Sequence, residues 1–297
     1  MRIPTWILGP MRVPFLILTP ACVMVGVGTS VWSSANFPWF EIVLVLIGAI
    51  AAHISVNAFN EYFDFKSGLD MRTRRTPFSG GSGTLPERPE AERSALTTAW
   101  ISFLVTALIG VYFLFERGPL LLPLGMIGLF LLIAYTEWLT KNPLLCLIAP
   151  GLGFGVLMVM GTHFALTGEY SWTVFLASLV PTFLVSNLLL INQFPDVEAD
   201  KSVGRRHFPI VLGRSKSAWI YVSFLVSTFL VILLGVIFAI FPPLTLLGLL
   251  GLVLAVPNMR GAVRFAEDVE KLIPVLSQNV LLTLLIPTLF AIGFLVS

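Results

Sequence analysis

The sequence predicts an all-α polytopic membrane protein, with about nine transmembrane helices in one bundle and a polar mouth on the cytoplasmic side. Three observations lead there. Hydrophobic residues make up 57% of the 297 residues and charged residues only 11%, against roughly 25% charged in a soluble domain. The apolar residues fall into long stretches that, at about 1.5 Å per residue, can cross a hydrocarbon layer of roughly 30 Å. The basic residues gather almost entirely on one side of the path those stretches define. Nothing divides the chain, which reads as a single transmembrane domain over residues 1–297.

The first stretch, 13–33, follows Arg2 and Arg12 but lacks a small-residue cleavage site and runs straight into another span, so it is expected to be retained. The second, 39–61, carries a polar stripe of His53, Asn57, Asn60, Glu61 and Asp64, at spacings that share one helix face. A basic loop, 62–93, leads to the third stretch, 94–115, and the fourth is 119–139. The fifth, 143–165, holds Gly151, Gly153 and Gly155, which together with Gly125 and Gly128 of the fourth are expected to permit close helix contact. The sixth is 172–194, the seventh 216–240, the eighth and shortest 243–258, and the ninth 273–296. Cys22 and Cys146 lie inside spans with no CxxC or Cys/His cluster, so neither a disulfide framework nor a zinc site is indicated. His53 reads as an interhelical hydrogen-bonding residue and His163, near the outer face, as a packing or interface residue. A net charge of +2 gives no footprint for nucleic acid.

With nine spans, the N-terminal tail and segments 62–93, 140–142, 195–215 and 259–272 share one face. They and the adjoining span ends hold every Lys and Arg except Arg117. The positive-inside rule makes that face, and with it the N-terminus, cytoplasmic.

Two segments on that face echo each other. NAFNEYFDFKSGLD ends the second span and NLLLINQFPDVEAD ends the sixth. Each places an Asp four residues after an Asn (Asn60 to Asp64, Asn192 to Asp196) and a further Asp beyond, at Asp70 and Asp200. Continuation of the helix past Pro195 would put Asp200 on the stripe of Asn192 and Asp196. Carboxylates and amides without Cys form a hard oxygen-donor set suited to Mg²⁺, which normally completes its shell with water and substrate phosphates. Lys66, Arg72, Arg74 and Arg75 follow the first cluster and Lys201, Arg205 and Arg206 the second, so a diphosphate fits between them. The Gly- and Ser-rich stretch 74–86 is a candidate phosphate wrap or lid, and the Walker and dinucleotide fingerprints are absent.

The paired motifs NEYFDFKSGLD and NQFPDVEAD, on the second and sixth of nine spans, resemble those of the UbiA superfamily of intramembrane aromatic prenyltransferases. The first is most similar in form to the 1,4-dihydroxy-2-naphthoate prenyltransferases of menaquinone synthesis. Ala134-Tyr135-Thr136 and Gly151-Leu152-Gly153 are similar as well. The resemblance implies Mg²⁺-assisted ionisation of a prenyl diphosphate and capture of the allylic cation by an aromatic acceptor, in an integral membrane enzyme. It implies Asp64, Asp70, Asp196, Asp200 and Glu61 as metal ligands. Asn60, Lys66, Arg72, Asn192, Lys201, Arg205 and Arg206 would bind diphosphate. Asp64, Asp196 and Tyr135 would be catalytic, with Phe59, Phe63 and Phe194 facing the cation. Three positions depart from the family pattern: Glu61 stands where Asp is usual, Gly68 where the commoner motif has its last Asp, and Phe154 where naphthoate enzymes carry an acidic residue. Other branches of the superfamily, making ether lipids, haem O, chlorophyll or cyclised terpenes, remain alternatives. From a different class, so does a membrane transporter, whose paired halves and intramembrane polar residues look alike.

Overall fold

A computed structural model describes residues 5–34, 37–76 and 79–297. Arg2 of the basic face and Pro77-Phe78 of the Gly/Ser-rich stretch lie outside the described residues. The described residues form helices joined by turns and loops, with nine long apolar helical segments: α1 (Leu8–Ser34), α2 (Trp39–Lys66), α3 (Glu92–Arg117), α4 (Leu121–Glu137), α5 (Pro143–Thr167), α6 (Trp172–Asn192), α7 (Arg214–Ile237), α8 (Pro243–Arg264) and α9 (Val269–Leu295). Eight of these are long and apolar enough to cross a membrane. The shortest is α4, not the eighth as the sequence suggested. Helix α8 gains reach because its first part, Pro243–Gly251, is a 3₁₀ helix, which rises about 2 Å per residue instead of 1.5.

Local chemistry sets the helix starts. Asn142 caps α5, its Oδ1 accepting from the backbone N–H of Leu144 (3.0 Å) and Leu145 (3.1 Å), with Pro143 at the first helical position. Ser171 caps α6 and Asp268 caps α9 in the same way. Past Pro150, which lacks an N–H, α5 opens into a π-helical turn over Leu152–Leu157. Such turns are frequent at functional sites.

The bundle has a packed half and a hollow half. Helices α6 to α9 close over a core that includes Tyr221, Phe229, Phe241, Phe290 and Phe294. Polar side chains stitch it together: Asn187 Nδ2 donates to the Tyr221 carbonyl (2.8 Å) and Asn258 Nδ2 to that of Val275 (2.9 Å). His53 bonds Thr19 of α1 (2.8 Å), the interhelical role read from the sequence, and His163 bonds Thr29 of the same helix (3.0 Å). The glycines divide. A Cβ on Gly151 or Gly155 would run into Thr182 of α6, so these two do allow close packing. Gly125, Gly128 and Gly153 face open space instead, contrary to the expectation of close contact. All three line a cavity of about 960 Å³ in the hollow half, between α2, α3, α4 and α5 and reaching α6 and α9.

Candidate functional site

Helix α2 presents His53, Asn57, Asn60 and Asp64 to the cavity at intervals of four, three and four residues. Glu61 sits one position off that stripe. The helix ends in a Schellman turn: Gly68 N–H bonds the Phe65 carbonyl (3.0 Å), Leu69 N–H bonds that of Asp64 (3.0 Å), and Gly68 is left-handed at φ 75°. The turn returns Asp70 to the cavity mouth, 8% exposed. Gly68 thus replaces a carboxylate with a bend, and Asp70 reaches the site by chain reversal. Gly68→Ala is expected to lower unfolding stability by about 1–2 kcal/mol, the cost of a Cβ in the left-handed region, read by thermal unfolding in detergent.

The second motif departs from the expected stripe. Helix α6 stops at Asn192, residues 193–196 turn, and Asp200 sits on a separate short helix, Val197–Ser202. The turn nevertheless brings Asn192, Asp196 and Asp200 to the same cavity.

Arg205 joins the two motifs. It is paired with Asp64 through Nη2 and donates to Asp200 Oδ1 through Nη1 at 2.9 Å, while His207 Nε2 bonds the other Asp200 oxygen at 2.8 Å. Burial opposes its charge, but Asp64 and Asp200 more than offset this and hold the guanidinium above its usual range. A second Arg acts beside it. Arg12 donates to Glu61 Oε1 (2.8 Å) and Asn60 Oδ1 (2.7 Å), and Asn60 Nδ2 donates to Thr136 Oγ1 of α4 (3.2 Å). Arg12 is left-handed at φ 50°, ψ 51°, a backbone strain of about 1–3 kcal/mol of the kind that collects at functional sites. The oxygens of Glu61 also accept from Ser82 N (2.7 Å) and Ser82 Oγ (2.8 Å). Glu61 therefore anchors the Gly-rich segment against α2, and Gly80, Gly81 and Ser82 roof the cavity.

The mouth holds more negative charge than its cations neutralise. Burial, then the charges of Asp64 and Glu61, push the Asp70 carboxyl up to about 7. Burial, then Asp200, push Asp196 up to about 7. Asp70 Oδ2, Asp196 Oδ1 and Asn192 Oδ1 are buried without a hydrogen-bond partner. Three acceptor oxygens short of a donor fit a hard cation. Among the described residues no three His, Cys, Asp or Glu converge closely enough to hold a metal alone. Mg²⁺ takes one or two carboxylates and fills its shell from water and phosphate.

Of the residues singled out in the sequence, Asn60, Asp64, Asp70, Tyr135, Asn192, Asp196, Asp200 and Arg205 line the cavity. Glu61, Lys66, Arg72, Lys201 and Arg206 do not. Lys66 pairs with Glu92 at 2.8 Å on the outer side of the bundle, and Arg72 donates to Ser202 Oγ at 3.1 Å, tying the two motif loops. Lys201 and Arg206 are exposed. Phe59, Phe63 and Phe194 are also absent from the cavity wall, Phe59 being sealed between Phe63 and Trp100. The aromatic walls are Phe15, Phe113, Tyr135 and Phe154, the last edge-on to His53 at 4.6 Å. Sequence reasoning missed Arg12, taken only as a topology charge, and His207 and Gln193. Proximity to the second motif was the one available signal for the last two.

Comparison with known proteins shows what the whole chain resembles. The profile of the UbiA prenyltransferase family matches residues 20–271. The 1,4-dihydroxy-2-naphthoate octaprenyltransferase of Haemophilus influenzae is 27% identical over 95% of this chain and 92% of its own. That of Bacillus subtilis is 28% identical, over 57% of this chain and about half (54%) of its own length. Among solved structures, the apo structure of a UbiA homolog from Aeropyrum pernix K1 superposes with a TM-score of 0.70 at 16% identity, covering 96% of this chain and 98% of that one. A UbiA homolog from Archaeoglobus fulgidus bound to GPP and Mg²⁺ gives a TM-score of 0.66 at 12% identity, covering 98% and 100%.

Proposed function

Because this chain belongs to the UbiA prenyltransferase family, we propose that it transfers the prenyl group of a prenyl diphosphate to an aromatic acceptor of the 1,4-dihydroxy-2-naphthoate type, with Mg²⁺ at the two Asp motifs. The observation that carries this reading is one cavity with an oxygen-rich, donor-starved head and an apolar shaft. Bound Mg²⁺ supplies charge neutralisation for a departing diphosphate.

Asp70 and Asp196 offer that cation their unpartnered oxygens, with Asp64 and Asp200 beside them. Asn60, fixed by Arg12 and Thr136, and Asn192 orient the head group. Of the two arginines at the cavity wall, Arg12 and Arg205, Arg205 is the one placed to draw negative charge between the motifs. The allylic C1–O bond breaks with its electron pair leaving on diphosphate, and a ring carbon of the acceptor supplies the pair for the new C–C bond. Tyr135, hydrogen-bonded to Cys146 and within electrostatic reach of Arg205 and Asp200 on the cavity wall, would face the allylic carbon as the diphosphate departs. The Gly-rich roof and the surrounding apolar helices keep water from the cation.

A carrier needs polar groups along the whole pathway, whereas here the ionisable residues crowd one end. The decisive assay incubates purified protein with 1,4-dihydroxy-2-naphthoate, geranylgeranyl diphosphate and Mg²⁺. Diphosphate release should match prenylated naphthoate one for one, cease with EDTA and return with Mg²⁺. Absence of any prenylated aromatic would sink the reading.

The mouth is assigned to the cytoplasm. Arg117, the sole basic residue expected outside, donates to the Ala165 carbonyl (2.8 Å) at the opposite end of the bundle. Both native cysteines are buried, so single introduced thiols can be labelled cleanly. Arg74→Cys should react with an impermeant maleimide only after the cytoplasmic side is opened and Ser297→Cys from outside; the reverse pattern would invert the topology.

A further inference from the structure

Two polar side chains of α2 interrupt the mostly apolar wall beneath the carboxylates, and each uses only one of its ends on the protein. His53, 5% exposed, bonds Thr19 Oγ1 through Nδ1 at 2.8 Å, and Asn57 donates through Nδ2 to the Met11 carbonyl at 3.0 Å. His53 Nε2 and Asn57 Oδ1 have no hydrogen-bond partner among the described residues, although both side chains line the cavity. Asn60, one turn nearer the mouth, differs. Its Oδ1 accepts from Arg12 and its Nδ2 donates to Thr136, so neither end is left over. A polar atom held in an apolar wall is costly unless a ligand or water supplies its partner. Beside the pair, the π-helical turn of α5 leaves room for a flat ring. No atom lies within 4 Å of where a Cβ on Gly153 would stand, and Phe154, edge-on to His53, offers an apolar wall.

We propose that His53 and Asn57 form a shelf that grips the aromatic acceptor by two oxygens para to each other on one ring, and so select a 1,4-dihydroxyarene over rings with a single hydroxyl. This rests on the reading of the mouth as a prenyl diphosphate site. Residues four apart on a helix stand about 5–6 Å from each other at Cβ, close to the span of two para oxygens. The hydrogen-bonding chemistry matches as well. Asn57 Oδ1 can only accept, from one hydroxyl, while the His53 imidazole accepts or donates at Nε2 according to its tautomer, because the Thr19 hydroxyl can take either role at Nδ1. The depth also suits transfer. Asn57 and His53 lie three and seven residues before Asn60, about 4.5 and 10.5 Å deeper along α2. A diphosphate head at Asn60 and Asp64 turns its C1 toward that level, so a ring spanning Asn57 and His53 presents its edge to C1. A ring lacking one hydroxyl leaves a buried polar atom of the shelf unpaired, which binding rejects strongly.

The test measures binding of 1,4-dihydroxy-2-naphthoate, 1-hydroxy-2-naphthoate and 4-hydroxy-2-naphthoate to protein in nanodiscs, loaded with Mg²⁺ and the slowly ionising geranylgeranyl S-thiolodiphosphate. Removing either hydroxyl should lower wild-type affinity about tenfold or more. His53→Asn puts an amide atom where Nδ1 stood, which keeps the bond to Thr19 but withdraws Nε2 from the cavity. It should erase the penalty for one missing hydroxyl and leave the other. Asn57→Leu should erase the second penalty and leave the first. His53→Gln, whose amide reaches the Nε2 position, should keep both. Affinity for the thiolodiphosphate should stay within about twofold in every variant. Where Asn57→Leu does not fold, Asn57→Ala repeats the test with the same expectation. The proposal is overturned if the variants keep both penalties, if both erase the same one, or if they weaken the thiolodiphosphate as much as the naphthoates. The expected change in selectivity without any prenylated naphthoate would keep the shelf and discard the transfer. Prenylated naphthoate with selectivity unchanged in the variants would keep the transfer and discard the shelf.

Discussion

Replacing Asp196 with Asn is expected to lower prenylated product about a hundredfold or more while leaving a folded, inserted protein. The loss follows from the several kcal/mol that a metal contributes to a leaving group, at 1.36 kcal/mol per factor of ten. Folding should survive because Asp196 Oδ1 accepts no hydrogen bond and burial, which pushes its carboxyl up to about 7, already disfavours the charge that the amide removes. Asp64→Asn should be at least as inactive but also less stable, because Asp64 is one of the two carboxylates that hold Arg205. Product formation and thermal unfolding measured together separate the two outcomes. An Asp196→Asn enzyme with wild-type turnover, or a wild type indifferent to chelation, would remove the carboxylates from the metal site.

The second large effect belongs to Arg205. Arg205→Ala strands Asp64 and Asp200, whose side chains are 9% and 4% exposed, and breaking a buried pair from one side typically costs about 3–5 kcal/mol. The variant should unfold at markedly lower temperature and lose activity. Mg²⁺ with a prenyl diphosphate should return part of the stability, since a bound cation takes over the neutralisation. Arg205→Lys keeps the charge but has no planar fork to span two carboxylates, so it should recover stability only in part. Equal unfolding temperatures for wild type and Arg205→Ala would show that Arg205 does not hold the motifs together.

Much of this was open to a reading of residues in order. The nine apolar helices and the shared face of the two motifs follow from stretch length, basic-residue placement and helical spacing. These are properties of short segments. The first motif was legible as a helix face because α2 runs unbroken to Lys66. The second was not, because the chain leaves α6 at Asn192 and re-forms a helix at Val197. The nearby basic residues could not be sorted either. Arg205 and Lys201 look equivalent in sequence, yet one is clamped between two carboxylates and the other faces solvent. Glu61 shows the same limit: it lies within the motif but points to Arg12 and Ser82, partners 49 and 21 residues away.

By itself, then, the sequence determined that this is a helical membrane protein with two acidic motifs at one face and a donor set suited to Mg²⁺ and phosphate. Each of those conclusions depends only on residue type and local period. The tertiary structure decided which charges meet and which glycines touch a neighbour. It placed Arg12, strained and far off in the chain, against Glu61, and it turned Gly125 and Gly128 from presumed helix contacts into the wall of a shaft. The physical reason is that side-chain partners and voids depend on how helices distant in sequence approach one another. Span length and hydrophobic period fix that each helix crosses the membrane, and leave open which face it turns to its neighbours.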